Sequence, residues 1–339
     1  MRFCFILEDK YRRESMPTVI ARRLLDWGHD VDILEPSKTV TSLCDLSQKV
    51  YDAYVLKTVS DGPGLRILEA AAAVGIPTIN NPASIRLVRD KSLCAAYAYA
   101  RGLPFPRSYF VVDPLLIRKI PPEDYPIVVK PTNGSSGHGL YLVNDPTQLT
   151  TLKKCRPGLR FFLAQCYVDN QGYNIKLYVI GRDVFAVARE SPLHPRVQVA
   201  SRLLPLKPEW LQLARRAGEV FGLDIYGLDV LETSNGPVIV DINDFPSFGH
   251  VPRAVGRISD YIVHLAKEAR VKRHQEAADR LALQSVGTQT LATADGENGE
   301  ASSVVRAPAN GSRATRTRPN GPPTPTKASI FDGSRRSGS

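Results

Sequence analysis

Asp229 and Asp241 each interrupt an apolar run, Gly227-Leu-Asp-Val-Leu-Glu and Val240-Asp-Ile-Asn. A lone carboxylate in such a setting is costly, and two facing ones are worse unless a cation sits between them. Ser234-Asn235-Gly236 between the runs predicts a hairpin that places the aspartates on adjacent strands. Asn243, two residues beyond Asp241, shares its face. Oxygen donors of this kind suit Mg2+, which commonly also takes phosphate and water. Pairing of both aspartates with Lys or Arg is the alternative.

A second element is the run Lys130-Pro-Thr-Asn-Gly134-Ser135-Ser136-Gly137-His138-Gly139. Small residues let backbone N–H groups wrap a phosphate, and a lysine at the end of the preceding strand adds a point charge. A P-loop needs Gly-Lys-Ser/Thr and a following helix. Here a strand follows, so the segment reads as a strand–loop–strand flap, or as a plain hairpin loop. Lys91, Lys130, Lys176, Arg189, Arg196 and Arg202 punctuate apolar or turn segments. Lys176, inside Asn174-Ile-Lys-Leu-Tyr-Val-Ile, is expected to contact a nucleotide or acceptor phosphate. His138 and His250 read as substrate contacts or as exposed loop residues.

These residues need a frame. Over the first ~85 residues, short apolar runs alternate with helical patterns (Arg2–Leu7, Met16–Trp27, Val31–Leu34, Ala53–Leu56), which predicts a parallel α/β sheet. No GxGxxG follows the first strand, so a dinucleotide site is not supported. A turn at Asn81-Pro82 leads into a helix expected to end near Arg101-Gly102. Beyond it the strands are antiparallel-rich: 125–130, 139–143, 160–168, 174–180, 183–188, 226–232 and 237–242, with a helix over 209–221. The helical pattern of 258–283 closes the last domain. From about Ser285 the chain is rich in Ser, Thr, Ala, Gly, Pro and Asn, and a disordered tail over 285–339 is expected.

The chain has 339 residues, 43% of them hydrophobic, and a formal charge of +10. That length predicts two or three lobes, and no apolar run is long enough for a membrane span. The opening strand is closed by acids and does not read as a signal peptide, so a cytoplasmic protein is expected. The basic charge fits an anionic small substrate, and part of it lies in the tail. No basic helix with interleaved aromatics argues for nucleic acid. Five scattered cysteines without a CxxC pair read as buried reduced thiols.

Lys130 with the Gly134–Gly139 flap, Gln165-Cys-Tyr-Val, and Asp229…Asp241-Ile-Asn243, in that order, resemble the ATP-grasp superfamily. Gly28-His-Asp-Val-Asp-Ile-Leu-Glu-Pro and Asn81-Pro-Ala-Ser-Ile-Arg…Arg89-Asp90-Lys91 further resemble RimK-type ligases. The resemblance covers roughly residues 1–268. It implies an ATP-grasp fold preceded by a parallel α/β domain: an N-terminal domain over 1–84, a small lobe with the flap over 85–170, and a large lobe with the metal site over 171–284. It implies that Lys91 and Lys130 contact ATP phosphates and that Gly134, Ser135, Ser136, Gly137, His138 and Gly139 cover them. It implies that Gln165, Tyr167 and Val168 line the adenine, that Asp229, Asp241 and Asn243 hold Mg2+ (Mn2+ as a substitute), and that Lys176 lies near the phosphates. Lys176 and Arg189 are the candidates for catalysis, Arg189 on the acceptor side.

Two branches of the superfamily compete. A carboxylate–amine ligase forms an acyl phosphate that an amine attacks; an inositol polyphosphate kinase transfers phosphate to a hydroxyl. The Arg-x-Asn element of RimK-type ligases is not evident near 191–202, and the strand Val240-Asp-Ile-Asn-Asp-Phe-Pro-Ser-Phe looks kinase-like. More of the chain matches the ligases, so the expected substrate is an amino acid or peptide, with a phosphorylated polyol as the alternative. A non-catalytic nucleotide-binding protein is the third reading. A homo-oligomer is expected from related folds.

Overall fold

The computed structural model describes residues 1–8, 11, 15–46, 51–57, 62–133, 139–148, 161–194 and 199–294. Met1–Leu281 form one compact unit; Ala282–Ser339 form a second, described only to residue 294.

The first sheet is parallel, in the order β2-β1-β3-β4: β1 (Arg2–Leu7), β2 (Asp30–Leu34), β3 (Ala53–Lys57) and β4 (Thr78–Ile79). After Arg2 every residue of β1 is buried, as a strand covered on both faces requires. Helices α1 (Ser15–Asp26) and α2 (Gly64–Ala73) connect its strands.

The expected single helix after Asn81 is two helices. α3 (Pro82–Arg89) starts on the Asn81 side chain, which accepts from the Ala83 N–H, and α4 (Lys91–Ala100) follows at once. Asp90 breaks the helix. Its backbone is extended, and its carboxylate accepts from the N–H groups of Ser92 and Leu93. An Asp that caps the helix it precedes serves the orphan donors better than one buried in mid-helix. The break makes Lys91 the first residue of α4, with its own N–H on the Thr132 carbonyl at 2.9 Å.

A small antiparallel sheet, ordered β5-β8-β6-β7, comprises β5 (Ser108–Val111), β6 (Ile127–Pro131), β7 (Tyr141–Val143) and β8 (Phe162–Cys166). The large antiparallel sheet is ordered β11-β10-β9-β12-β13: β9 (Tyr173–Ile180), β10 (Asp183–Glu190), β11 (Arg202–Leu204), β12 (Ile225–Thr233) and β13 (Gly236–Asp244). Helix α5 (Pro208–Phe221) buries Trp210, Leu213, Ala217 and Phe221 in one core with residues of α4, β9 and β12. The last helix, α6 (Ala254–Ala294), places Ile258, Ile262 and Ala266 against Phe3 and Phe5 of the parallel sheet. It runs ten residues past the expected start of the tail at 285. No proline stops it before Pro308, so helix termination there lacked a local cause. The remainder of the tail lies outside the described residues.

Cys4 and Cys94 are buried and Cys166 half-buried, but Cys44 is exposed, unlike the expectation; Cys155 lies outside the described residues.

Candidate ATP and metal site

The strand pairing brings the two aspartates together. Asp229 on β12 pairs in register with Asp241 on β13 and, on its other side, with Lys176 on β9. The register then slips: Val230 pairs with Ile239, leaving Val240 as the extra residue of a β-bulge. Lys176, Asp229, Val240 and Asp241 line a cleft of about 1040 Å3 between the small and large sheets.

Each aspartate carries a lysine. Lys91 Nζ donates to Asp241 Oδ1 at 2.6 Å, and Lys176 Nζ to Asp229 Oδ2 at 2.9 Å. Asn243 Nδ2 also donates to Asp229 Oδ2, at 3.2 Å. The pairing alternative raised by the sequence and the proximity expected of metal ligands therefore both hold, through the lysines expected to serve phosphate. Gly227 makes room for this: a Cβ there would stand 3.0 Å from Lys176 Cε and from Pro246 Cγ.

Lys130 differs from the other two. It is 7% exposed, and both of its hydrogen-bond acceptors are neutral: Gln165 Oε1 at 3.0 Å and the bulge carbonyl of Val240 at 2.8 Å. Burial pushes its pKa down to about 8, against the pull of Asp241 and with the help of nearby Lys91. Burial also opposes the charges of Lys91 and Asp241, but their mutual attraction prevails: Lys91 is raised and Asp241 held below the usual carboxylate range.

Of the remaining expected residues, Tyr167 and Val168 line the cleft, and the Tyr167 hydroxyl lies 3.0 Å from His194 Nε2. Gln165 is buried and turned toward Lys130. Arg189 lines the cleft from β10, its Nη1 donating to Tyr178 Oη at 3.3 Å. Arg202 and His250 are exposed and outside the cleft lining. Gly139 has φ +78 and lies against Pro131, so the two ends of the flap segment are close. Gly134, Ser135, Ser136, Gly137, His138 and Arg196 lie outside the described residues.

Two features were not anticipated. Arg89 and Asp244 form a two-pronged ion pair at 2.9 and 2.8 Å, with side chains 9% and 10% exposed. Lys57, at the end of β3, reaches the cleft and donates to the Phe245 carbonyl at 2.6 Å. The only sequence signal for the first was the proximity of Arg89 to Lys91 and of Asp244 to Asn243; the second had none.

Among the described residues no three His, Cys, Asp or Glu side chains gather into a metal cluster. Two opposed carboxylates and an amide are nonetheless a fitting set for Mg2+, which completes its shell with phosphate and water. No helix among the described residues is long and apolar enough to cross a membrane.

A family profile for the RimK-like ATP-grasp domain matches residues 88–260. The chain belongs to the RimK-like ATP-grasp family. The match spans the lysines, the flap segment and the Asp229–Asp241 hairpin. A probable alpha-L-glutamate ligase of Marinomonas sp. is 27% identical over 267 residues, covering 71% of this chain and 88% of that one. One from Haemophilus ducreyi is 27% identical over 220 residues, 60% of this chain and 72% of that one. The fold is that of a RimK domain ATP-grasp protein from Sphaerobacter thermophilus: TM-score 0.63, 21% identity, 77% of this chain and 99% of that one. D-alanine–D-alanine ligase from Bacillus anthracis shares it at TM-score 0.60 and 13% identity, over 80% and 99%. Between the two branches weighed from the sequence, family and relatives fall on the side of the ATP-dependent ligases.

Proposed function

We propose that this protein uses Mg-ATP to join an amino group to the carboxylate of an amino acid or peptide, through an acyl phosphate. The observation that carries the proposal is the in-register Asp229–Asp241 pair, with Asn243 beside it and three lysines around it, at the floor of one cleft.

In this reading Asp229, Asp241 and Asn243 hold Mg2+, or Mn2+ in its place, and the metal neutralises the nucleotide phosphates. Charge balance supports it. Arrival of a cation at the carboxylates would release Lys91 and Lys176, which would then be free to face the phosphates. Lys130 needs no such release, since its acceptors are uncharged. The Gly134–Gly139 segment covers the phosphates, and Tyr167 and Val168 line the adenine. Transfer of the γ-phosphoryl group to the carboxylate spreads negative charge that fixed cations stabilise. Arg189 and Lys176 supply such charges, Arg189 from the acceptor side. Attack of the amine on the acyl carbon then expels phosphate. The relatives named as glutamate ligases make glutamate the first acceptor to try. The lobe boundaries near 84 and 170 belong to the same proposal, as do a cytoplasmic location and a homo-oligomer.

The test is product analysis. The full chain, with ATP, Mg2+ and pools of amino acids and short peptides including glutamate, is expected to give ADP and a product weighing the two acceptors less one water. A stable phosphorylated polyol from a parallel inositol phosphate pool would place the protein with the kinases instead.

A further inference from the structure

Gln165 belongs by its position to the segment expected to line the adenine, yet its side chain is spent elsewhere. It is 3% exposed. Its Oε1 accepts from Lys130 Nζ at 3.0 Å, and its Nε2 donates to Ser108 Oγ at 3.1 Å. Ser108 in turn donates to the Pro106 carbonyl at 2.9 Å. The chain of bonds therefore runs Pro106–Ser108–Gln165–Lys130, across β5, β8 and β6. Each donor and acceptor has one consistent role: the serine proton is committed to Pro106, which leaves Oγ to accept the amide N–H and turns Oε1 toward the lysine.

We infer that Gln165, oriented by Ser108, is a positioning residue for Lys130 and no contact for the base. Ser108 pairs with Gln165 across β5 and β8, and Gln165 with Val128 across β8 and β6. The relay is thus fixed by sheet register, the most rigid scaffold available to it. On the opposite side Lys130 bonds the Val240 carbonyl, which the bulge leaves out of regular pairing. Lys91 and Lys176 each have an aspartate to aim them, whereas among the described residues the hydrogen bonds of Lys130 go to neutral oxygens alone. Neutral acceptors orient an ammonium without cancelling its charge, so the charge stays available to an incoming phosphate. The inference rests on the ATP reading above.

It is tested by calorimetric titration of the full chain with a non-hydrolysable ATP analogue and Mg2+, using wild type, Gln165→Met, Ser108→Ala, Lys130→Met and the double variants with Lys130→Met. A hydrogen bond to a charged group sets the scale. We expect Gln165→Met to weaken binding roughly tenfold and Ser108→Ala roughly threefold, and both losses to vanish in the Lys130→Met background. Losses that persist in that background would show that Gln165 acts independently of Lys130, on the base or through the fold, and would overturn the inference. So would unchanged binding by Gln165→Met. Should Gln165→Met not fold, the Ser108→Ala cycle decides by the same criterion. Wild type that fails to bind the analogue would overturn the ATP reading itself, and the inference with it.

Discussion

Asp229 and Asp241 stand directly opposite each other on adjacent antiparallel strands, and each carboxylate holds a different lysine, Lys176 and Lys91. Neither lysine is on the hairpin. One comes from the neighbouring strand β9 and the other from the first residue of α4. The pair is thus a junction of four elements, and each of its four charges has a partner.

Replacing Asp241 with Asn removes a proposed metal ligand and leaves Lys91 without its counter-charge. Turnover is expected to fall by about three orders of magnitude or more. Stability should fall by only about 1–2 kcal/mol, because the carboxylate is 26% exposed and water can reach the site. Steady-state assays and urea unfolding on the same preparation check both. Full activity in this variant would remove Asp241 from the metal site.

Lys130 gives a pH signature. Its pKa lies at about 8 in the folded protein against 10.5 ordinarily. Between those values the unfolded chain binds more protons, so this group makes stability rise with pH. The cost of burying its charge is full below pH 8 and relieved toward pH 10.5. Measured against Lys130→Met, the wild type should therefore gain stability from pH 7 to pH 10. Parallel unfolding profiles for the two proteins would show that Lys130 is not perturbed.

Arg89 and Asp244 tie α3 to the end of β13 through one of the least exposed ion pairs described here. Truncating either partner leaves a buried charge unpaired. Arg89→Ala should cost about 3–5 kcal/mol by chemical denaturation. Since this pair anchors the helix that leads to Lys91, ATP affinity should drop as well. A loss below about 1 kcal/mol would mean that the pair is well hydrated.

Removal of residues 295–339 should leave turnover and ATP affinity unchanged, because every described residue lining the cleft precedes Phe248. Assays of the shortened chain against the full one check this; a clear loss would give the tail a part in the site.

Much of this frame was legible in the chain. Continuous apolar runs gave the parallel strands, and the Ser234-Asn235-Gly236 turn put Asp229 and Asp241 on adjacent strands, although the bulge at Val240 is what sets them directly opposite. What stayed hidden depends on contacts between distant residues. Asp90 looks like any helical acid until its carboxylate is seen to cap α4. The bulge at Val240 has no Gly or Pro to mark it. The partners of Lys91, Lys130 and Lys176 lie 150, 35 and 53 residues away, beyond what local pattern encodes. Gln165 reads as an adenine residue from the segment it sits in; only its buried bonds show it turned toward Lys130 and Ser108.

The most direct measurement is calorimetric binding of ATP to the full chain with and without Mg2+, in wild type and Asp241→Ala. We expect micromolar-range binding by wild type that depends on Mg2+, and loss of that dependence in the variant. ATP binding that ignores Mg2+ in the wild type, or Mg2+ dependence that survives in Asp241→Ala, would contradict the assignment of the Asp229–Asp241 pair as the metal site.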